Sequence, residues 1–303
     1  MTPAGDNGRV WNRLVREERE PLGMRTSEWI QMSFAAVFTV AGWATVFMPR
    51  SLPVGRRWKI SALAVVAFLG IALMHLVEPH LSRDRFLILL DMVTVALFLV
   101  PYWQTGQFFL GPNPKIQSRL AAFDRWLLPD ISSRSGTKRN SVGFVLEMAY
   151  LSCYPLVPLA LVAVYVAGLR ERIDEFWFVL LISTYLCYAI TPFVPAFPPR
   201  APSGEPPMSL ERGREANKGR VFNRWILKHG SIHAISFPSA HVASAFAVAL
   251  VLLHHSLWLG VIFLGIAILI SLGAVVGRYH YALDVLMGAV TALIVFAFHS
   301  SLH

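Results

Sequence analysis

Charged residues are scarce in this sequence of 303 amino acids. Asp, Glu, Lys and Arg together make up 15% of the chain, whereas hydrophobic residues make up 55%, and the mean hydropathy is +0.53. Soluble domains carry charge on roughly 25% of their residues. The deficit excludes an ordinary soluble domain and predicts a polytopic membrane protein.

Cysteine is also scarce, since Cys153 and Cys187 are the only two and both lie in apolar segments. This excludes a disulfide framework and a four-cysteine zinc site. The chain also lacks a His-Glu-x-x-His motif and a run of spaced aspartates, which are typical of zinc proteases and of magnesium sites. We therefore expect neither a metal nor another cofactor.

A nucleic-acid-binding motif is missing as well. The net charge is +9, but the basic residues are distributed among the polar loops that flank the apolar segments. Nucleic acid is therefore not expected as a partner, and anionic lipid fits the charge better. Nothing in the sequence indicates an oligomeric state.

Long apolar runs are what the chain has in abundance. A helix needs about 20 apolar residues to cross a bilayer, and eight segments come close to that length. These segments are Trp29–Met48, Ile60–Leu76, Phe86–Trp103, Val142–Val166, Phe176–Val194, Val242–Trp258, Leu259–Val276 and Tyr281–Phe298. They predict an all-α fold, a polytopic membrane helix bundle of about eight transmembrane helices.

The predicted organisation is a single membrane domain. Residues 1–28 form a polar N-terminal segment without the apolar core of a cleavable secretory signal. Residues 29–85 form two additional transmembrane helices, and residues 86–303 form a six-helix core. Interfacial helices are expected in the loops 104–141 and 195–236.

Two loop segments have the pattern of a helix that lies in the headgroup layer. In Ile116–Leu128, apolar side chains share one side of a helix and arginines lie elsewhere. The apolar residues are Leu120, Phe123 and Leu127, and the arginines are Arg119 and Arg125. A solvated loop helix is the alternative. The second segment is Val221–Lys228.

Two short polar motifs each precede an apolar helix. In Gly277–Asp284, His280 and Asp284 are four residues apart, so on a helix the carboxylate can hold one imidazole nitrogen and leave the other for attack. In Phe237–His241, Pro-Ser predicts a helix start at Ser239. Such a start turns the N–H groups of Ser239 and Ala240 and the positive end of the helix dipole toward an anion, with His241 beside it.

Eight spans place both motifs on the same face of the membrane. The loop after the fifth span also emerges there, and its Arg200 can clamp phosphate oxygens. Arg278 either binds phosphate or anchors its helix end by snorkelling. On the same half of the fourth span, one helical face carries three polar residues that would either bind a head group or form a structural hydrogen-bond network. These are Glu147, Tyr150 and Tyr154.

These residues resemble the type 2 phosphatidic acid phosphatase superfamily of integral-membrane phosphatases and phosphotransferases. Its second motif, Pro-Ser-Gly-His, is matched by residues 238–241 with alanine for glycine, and its third motif by His280 and Asp284. The resemblance covers six spans, from about Phe86 to Phe298. It implies a phosphatase-like core in which His280 attacks phosphorus, His241 protonates the departing oxygen and Asp284 orients His280, through a covalent phosphohistidine and without metal.

The departures from the family pattern indicate a branch. The family's first motif has a lysine seven residues before an Arg-Pro pair, where this chain has Phe193, and Arg200 is followed by Ala201. The third motif has an arginine six residues before the histidine, where this chain has Ala274, and Arg278 lies two residues before it. With Pro-Pro-Arg at 198–200, the chain resembles the inositol phosphorylceramide synthase branch. That implies head-group transfer to a lipid or polyol alcohol, and hydrolysis stays open.

Two other classes of protein are alternatives. A metal-dependent transferase or protease would use as ligands His233, His241, His280 and Asp284. A transporter or lipid-binding protein would use buried charges such as Asp91 and Glu147, and Pro155 and Pro158 fit the broken helices of transporters.

Membrane orientation is indicated by two conflicting signals. Lysine and arginine are more numerous in the loops of the active-site face, which by the positive-inside rule predicts a cytoplasmic site. The resemblance instead implies an extracytoplasmic site. We expect a multi-pass protein of the plasma membrane with an extracytoplasmic site.

Overall fold

The computed structural model of the protein describes residues 23–129, 141–199, 232 and 234–302. Within these residues every regular element is helical. The α-helices are α1 (Thr26–Ala44), α2 (Val54–Val77), α3 (Arg83–Leu97), α4 (Val100–Gly106), α5 (Pro114–Leu127), α6 (Ser141–Leu151), α7 (Leu156–Val166), α8 (Ile173–Ile190), α9 (Ala240–His255), α10 (Leu257–Val276) and α11 (Ala282–Leu302).

Helices occupy all eight segments that the sequence predicts to be apolar spans, which confirms an all-α polytopic bundle. In the described part of the chain, six helical segments are long and apolar enough to cross a membrane. The α6–α7 pair adds a seventh if it counts as one span, although it is bent by 72°. Helix α9 has only 16 residues, so it rises about 24 Å. The protein is therefore an integral multi-pass membrane protein, and its sixth predicted span is shorter than expected.

The break between α6 and α7 has a local cause. Pro155 lies at the start of α7, where its missing N–H and fixed φ end the preceding helical hydrogen bonding. Tyr154, the residue before it, is thereby placed at the bend. The bend thus changes the direction of the chain between α6 and α7 at Tyr154.

Helix α5 covers nearly all of the segment Ile116–Leu128, which the sequence predicts to be an amphipathic helix. It begins after Asn113, whose side-chain oxygen accepts hydrogen bonds from the N–H groups of Lys115 and Ile116. Leu120 is buried, whereas Trp126 is 75% exposed. Its location in the headgroup layer stays a prediction. The second predicted interfacial segment, 221–228, lies outside the described residues.

Helix α9 is the centre of the core and packs against α8, α10 and α11. Small side chains at its buried positions let these helices approach closely. Gly288 of α11 illustrates the approach, because a Cβ there would lie 2.5 Å from the carbonyl oxygen of Ser239. The start of α9 and the start of α11 are therefore held against each other, which brings the two polar motifs together.

Candidate active site

The His280–Asp284 pair forms as the spacing predicts. Nδ1 of His280 lies 2.8 Å from Oδ2 of Asp284, and both side chains are buried. Helix α11, which carries Asp284, begins only at Ala282, so His280 lies in the turn before the helix. The hydrogen bond to Nδ1 leaves Nε2 as the ring nitrogen for chemistry.

The turn that carries His280 is built on an unusual backbone conformation. Arg278 has φ 58°, in the left-handed region that glycine normally occupies at a helix C-terminus and that costs other residues about 1 kcal/mol. The reversed chain then brings the N–H groups of Tyr279 and His280 to the carbonyl oxygen of Ala274, at 2.9 and 3.1 Å. Helix α10 is thus closed by the residues that present His280.

The second motif starts helix α9 at the predicted residue. Ser239 is the N-cap, with extended backbone, but its side chain makes no capping hydrogen bond. Its N–H donates to the carbonyl oxygen of Asp284 at 2.8 Å, and the N–H of Ala240 donates to Oγ of Ser236 at 3.2 Å. The two N–H groups expected to face an anion therefore have acceptors inside the protein. The N–H groups of His241 and Val242, in the same first turn, lack an acceptor within the helix by their position.

The two histidines meet across the bundle. The ring centroids of His241 and His280 are 5.7 Å apart, with an angle of 66° between the rings. Tyr150 and Tyr154 contact the other sides of His241, with centroid distances of 6.0 and 6.2 Å. The two rings are thus close enough for both to contact one phosphoryl group bound beside them.

Three buried polar atoms around these rings have no hydrogen-bond partner in the described part of the chain. They are Oγ of Ser239, Nδ1 of His241 and Oδ1 of Asp284. Buried polar side-chain atoms are nearly always hydrogen-bonded, because an unpaired one loses its hydration without compensation. These three atoms together provide hydrogen-bonding groups for a polar ligand.

A comparison with known protein families identifies the arrangement. The family model of the PAP2 superfamily matches residues 118–298, more than half of the chain. The chain belongs to the PAP2 superfamily. No curated protein and no solved structure matches it. Membership confirms the resemblance to type 2 phosphatidic acid phosphatases and supports a phosphatase-type enzyme with a lipid phosphate as substrate.

The match and the predicted domain boundaries differ. The family match begins within α5, at residue 118, whereas the sequence predicts a core that begins at residue 86. Helices α1 to α4 therefore lie outside the PAP2 match, and the predicted division of the chain stays a prediction.

A carboxylate and two tyrosines line the PAP2 site on the α6 side. The hydroxyl of Tyr279 donates to Oε1 of Glu147, and the Tyr279 ring stacks on Tyr150 with a centroid distance of 4.1 Å and an angle of 3°. Glu147 is buried. Of the predicted trio, Tyr150 and Tyr154 thus lie beside His241, and Glu147 is hydrogen-bonded to the turn that holds His280.

The two arginines predicted to bind phosphate have different outcomes. Nη2 of Arg278 donates to the carbonyl oxygen of Pro199 at 3.1 Å, so the guanidinium contacts the loop that leads to Arg200. Arg200 itself lies outside the described residues. The contact places Arg278 beside the loop of the PAP2 site and gives it a structural role there.

Asp124 is a residue of the PAP2 site that sequence reasoning missed. Its Oδ1 accepts a hydrogen bond of 2.8 Å from the N–H of Ala282, the first residue of α11. Burial raises the pKa of Asp124 above its usual value, and the hydrogen bond from Ala282 and the positive charge of Arg278 oppose that shift. The amphipathic pattern of α5 gave no signal for this contact, because it depends on how α5 packs on α11.

The metal-dependent alternative finds no support among residues 23–129, 141–199, 232 and 234–302. No group of three or more His, Cys, Asp or Glu side chains within these ranges is arranged to hold a metal ion. His233, which that alternative included, lies outside the described residues.

Proposed function

We propose that the protein is a metal-independent lipid phosphotransferase or phosphatase that works through a covalent phosphohistidine on His280. The observation that carries the proposal is the 5.7 Å separation between the rings of His241 and His280, with Asp284 on the far nitrogen of His280. A nucleophile, its orienting carboxylate and an acid then lie next to one another.

In the first half-reaction, Nε2 of neutral His280 attacks phosphorus. The bond from phosphorus to the leaving oxygen breaks, and that oxygen takes a proton from His241 in its imidazolium form. Asp284 accepts the hydrogen bond from Nδ1–H of His280 and stabilises the positive charge that develops on the ring. The products are the phosphorylated His280, neutral His241 and the alcohol that leaves.

In the second half-reaction the roles of His241 reverse. An acceptor hydroxyl gives its proton to His241 while its oxygen attacks phosphorus, and the N–P bond breaks to restore neutral His280. Water as the acceptor gives inorganic phosphate or a phosphorylated head group, and an alcohol gives a new ester. The two histidines need opposite protonation states, so we expect a bell-shaped dependence of turnover on pH.

Phosphate binding falls to the first turn of α9 and the loops around it. Ser239 contributes its buried hydroxyl, which has no partner among the described residues, and the N–H of Ala240 fixes the turn through Ser236. The helix dipole adds positive potential there. Arg200 and Arg278 supply the cationic charge that offsets the phosphoryl oxygens.

The acceptor is a lipid or polyol alcohol, by similarity to the inositol phosphorylceramide synthase branch. A sphingolipid alcohol is one member of this class. Tyr150 and Tyr154 lie next to His241, where the hydroxyl groups of an acceptor or a head group would approach, and Glu147 accepts the hydroxyl of Tyr279 in the turn before His280. A carboxylate beside aromatic rings is suited to bind a polyol.

One experiment tests the reaction and its type. The purified protein is incubated with phosphatidic acid, phosphatidylinositol and farnesyl pyrophosphate, each with and without ceramide and inositol, and the products are identified by mass spectrometry. Inorganic phosphate indicates a phosphatase, whereas a new phosphodiester indicates a transferase. Turnover that is unchanged in His280→Ala, or transport into liposomes without any chemical product, would refute the proposal.

We further propose that the site is extracytoplasmic and the membrane is the plasma membrane. Ser203→Cys places a thiol in the loop of the active-site face, and Ser82→Cys places one at the exposed start of α3 on the other face. The natural cysteines, Cys153 and Cys187, are buried. A membrane-impermeant maleimide added to intact cells should label the first variant and not the second, and the reverse result would place the site in the cytoplasm.

A further inference from the structure

We infer that Asp124 is a positioning residue, which holds the turn between His280 and Asp284 in its reactive geometry from the neighbouring helix α5. The inference rests on the proposed role of His280 as the nucleophile. It assigns to α5, outside the two motifs, a direct part in the reaction geometry.

The contact lies between the two catalytic side chains in sequence. Asp124 Oδ1 accepts the N–H of Ala282 at 2.8 Å, and Ala282 is two residues after His280 and two before Asp284. The first N–H groups of a helix have no acceptor within it, and a side-chain oxygen usually caps them from the adjacent residue. Here the cap comes from a different helix, 158 residues away in sequence.

The charge of the cap suits its place. A carboxylate at a helix N-terminus is stabilised by the positive end of the helix dipole. Arg278, in the turn just before, adds a positive charge that favours the ionised form of Asp124. The carboxylate is thus held against α11 by several favourable interactions.

A second contact fixes α5 on the same turn. Leu120, one helical turn before Asp124, is 4% exposed and packs in a small apolar cluster with Tyr281, Ala196 and Ile235. Helix α5 therefore holds the segment 280–282 by an apolar contact at Tyr281 and a hydrogen bond at Ala282. This rigid attachment lets Asp124 act on geometry and not only on stability.

The turn depends on such support because His280 is not part of a helix. Its position is set by the left-handed Arg278, by the hydrogen bond of its own N–H to Ala274 and by the contact with Asp284. A displacement of about 1 Å at a reacting group can lower the rate about 100-fold. Loss of the Asp124 carboxylate leaves the N–H of Ala282 without its acceptor, so the turn that holds His280 can shift.

The test compares Asp124→Ala with Asp124→Asn in the full-length protein. The assay uses whichever substrate of the lipid panel above is turned over fastest by the wild-type protein. We expect Asp124→Ala to lower kcat about 10- to 100-fold with KM within about twofold. Asp124→Asn keeps an oxygen that can accept the Ala282 N–H and should restore kcat to within about threefold of wild type. Ser118→Ala on the same helix is the matched control, because it removes a hydroxyl that donates to the carbonyl oxygen of Lys115 within α5.

Each outcome decides the inference. Wild-type kcat in Asp124→Ala, or an equal loss in Asp124→Ala and Asp124→Asn, would overturn it. If Asp124→Ala does not accumulate in membranes, Asp124→Leu, which has a similar size and no acceptor, takes its place, and a wild-type kcat there would also overturn the inference. Activity that persists in His280→Ala would instead refute the proposed function, whereas an inactive His280→Ala beside a fully active Asp124→Ala would refute only the role of Asp124.

Discussion

The two ends of the helix bundle differ in how their buried carboxylates are hydrogen-bonded. At the end away from His280, Asp91 is 1% exposed and both its oxygens have donors. Oδ1 accepts from Arg25 and Trp177, and Oδ2 accepts from Tyr165. At the active-site end, Asp284 is equally buried, yet its Oδ1 has no partner among the described residues.

A second network repeats the pattern of the distal end. Glu28 is fully buried, and its two oxygens contact Nε2 of His75 and the backbone N–H of Arg25. Glu78 contacts the other nitrogen of His75. The carboxylates at this end are satisfied by the fold, whereas part of the polar capacity around His241 is not. We infer that the distal carboxylates tie helices together and that the site end keeps hydrogen-bonding capacity for a substrate.

This contrast bears on the transporter alternative. A buried carboxylate that carries a substrate or proton must exchange its partners, but Asp91 is enclosed by donors from three different segments. The break between α6 and α7 follows from Pro155 at the start of α7, and it places Tyr154 at the bend. Asp91 and Pro155, two of the residues that favoured transport, therefore have structural roles.

The largest effect is expected for His280→Ala. It removes the nucleophile and should lower turnover of the folded protein on the order of 10⁴-fold or more. It also leaves Oδ2 of the buried Asp284 without its partner, so some loss of stability accompanies it. The matched control is His80→Ala, an exposed histidine at the distal end, which should keep full turnover. Product formation on the lipid panel measures both. Equal turnover by His280→Ala and His80→Ala would contradict the assignment of the chemistry to the end that carries His280.

The next effect is expected for Asp91→Ala. Removal of one member of a buried ion pair should lower the free energy of unfolding by about 3 kcal/mol, and Arg25 keeps Asp174 as a partner. The folded fraction should turn over substrate at the wild-type rate. Unfolding in mixed micelles measures the first quantity, with Asp84→Ala, an exposed carboxylate on the same helix, as the control. Lost turnover without lost stability would contradict the structural role.

A smaller effect is expected when one hydroxyl is removed from each end. Tyr165→Phe deletes a partnered hydroxyl and should lower the free energy of unfolding by about 1 kcal/mol without loss of kcat/KM. Ser239→Ala deletes an unpartnered one and should leave stability unchanged while kcat/KM falls about tenfold. Denaturation and steady-state kinetics on both variants measure the pair. A loss of kcat/KM in Tyr165→Phe together with a loss of stability alone in Ser239→Ala would contradict the roles assigned to the two ends.

The smallest effect is expected for metal removal. Dialysis against EDTA should leave kcat unchanged, because charge on the phosphoryl group is offset by arginines and a helix N-terminus in the proposed mechanism. Atomic absorption on the dialysed protein checks that removal is complete. A loss of kcat that magnesium or zinc restores would show that a metal takes part.

Much of the site follows from local pattern. A proline and serine before an apolar run predict the helix start at Ser239, and the four-residue spacing predicts the contact between His280 and Asp284. The contact forms although His280 precedes the helix, and the first helical hydrogen bond of α11 begins at the next residue, with the N–H of Val285 bonded to Tyr281. Short-range backbone geometry decides such contacts, and sequence encodes it directly.

Other features were outside the reach of pattern. The amides of Ser239 and Ala240 were expected to face an anion, but their acceptors come from Asp284 and Ser236 once α9 and α11 pack together. The contact of Asp124 with Ala282 likewise joins segments far apart in the chain. Such pairings depend on which helices become neighbours, and apolar spans look alike in composition.

The sequence by itself determined that the chain is an all-α membrane protein and which superfamily it belongs to, and it predicted which residues carry the chemistry. Hydrophobicity and short spacings are local quantities, and they suffice for these conclusions. Only the tertiary structure decided that the two histidine rings lie 5.7 Å apart, that the distal carboxylates are satisfied and that α5 caps the catalytic helix. These depend on the packing of distant helices, where small residues set how closely two backbones approach.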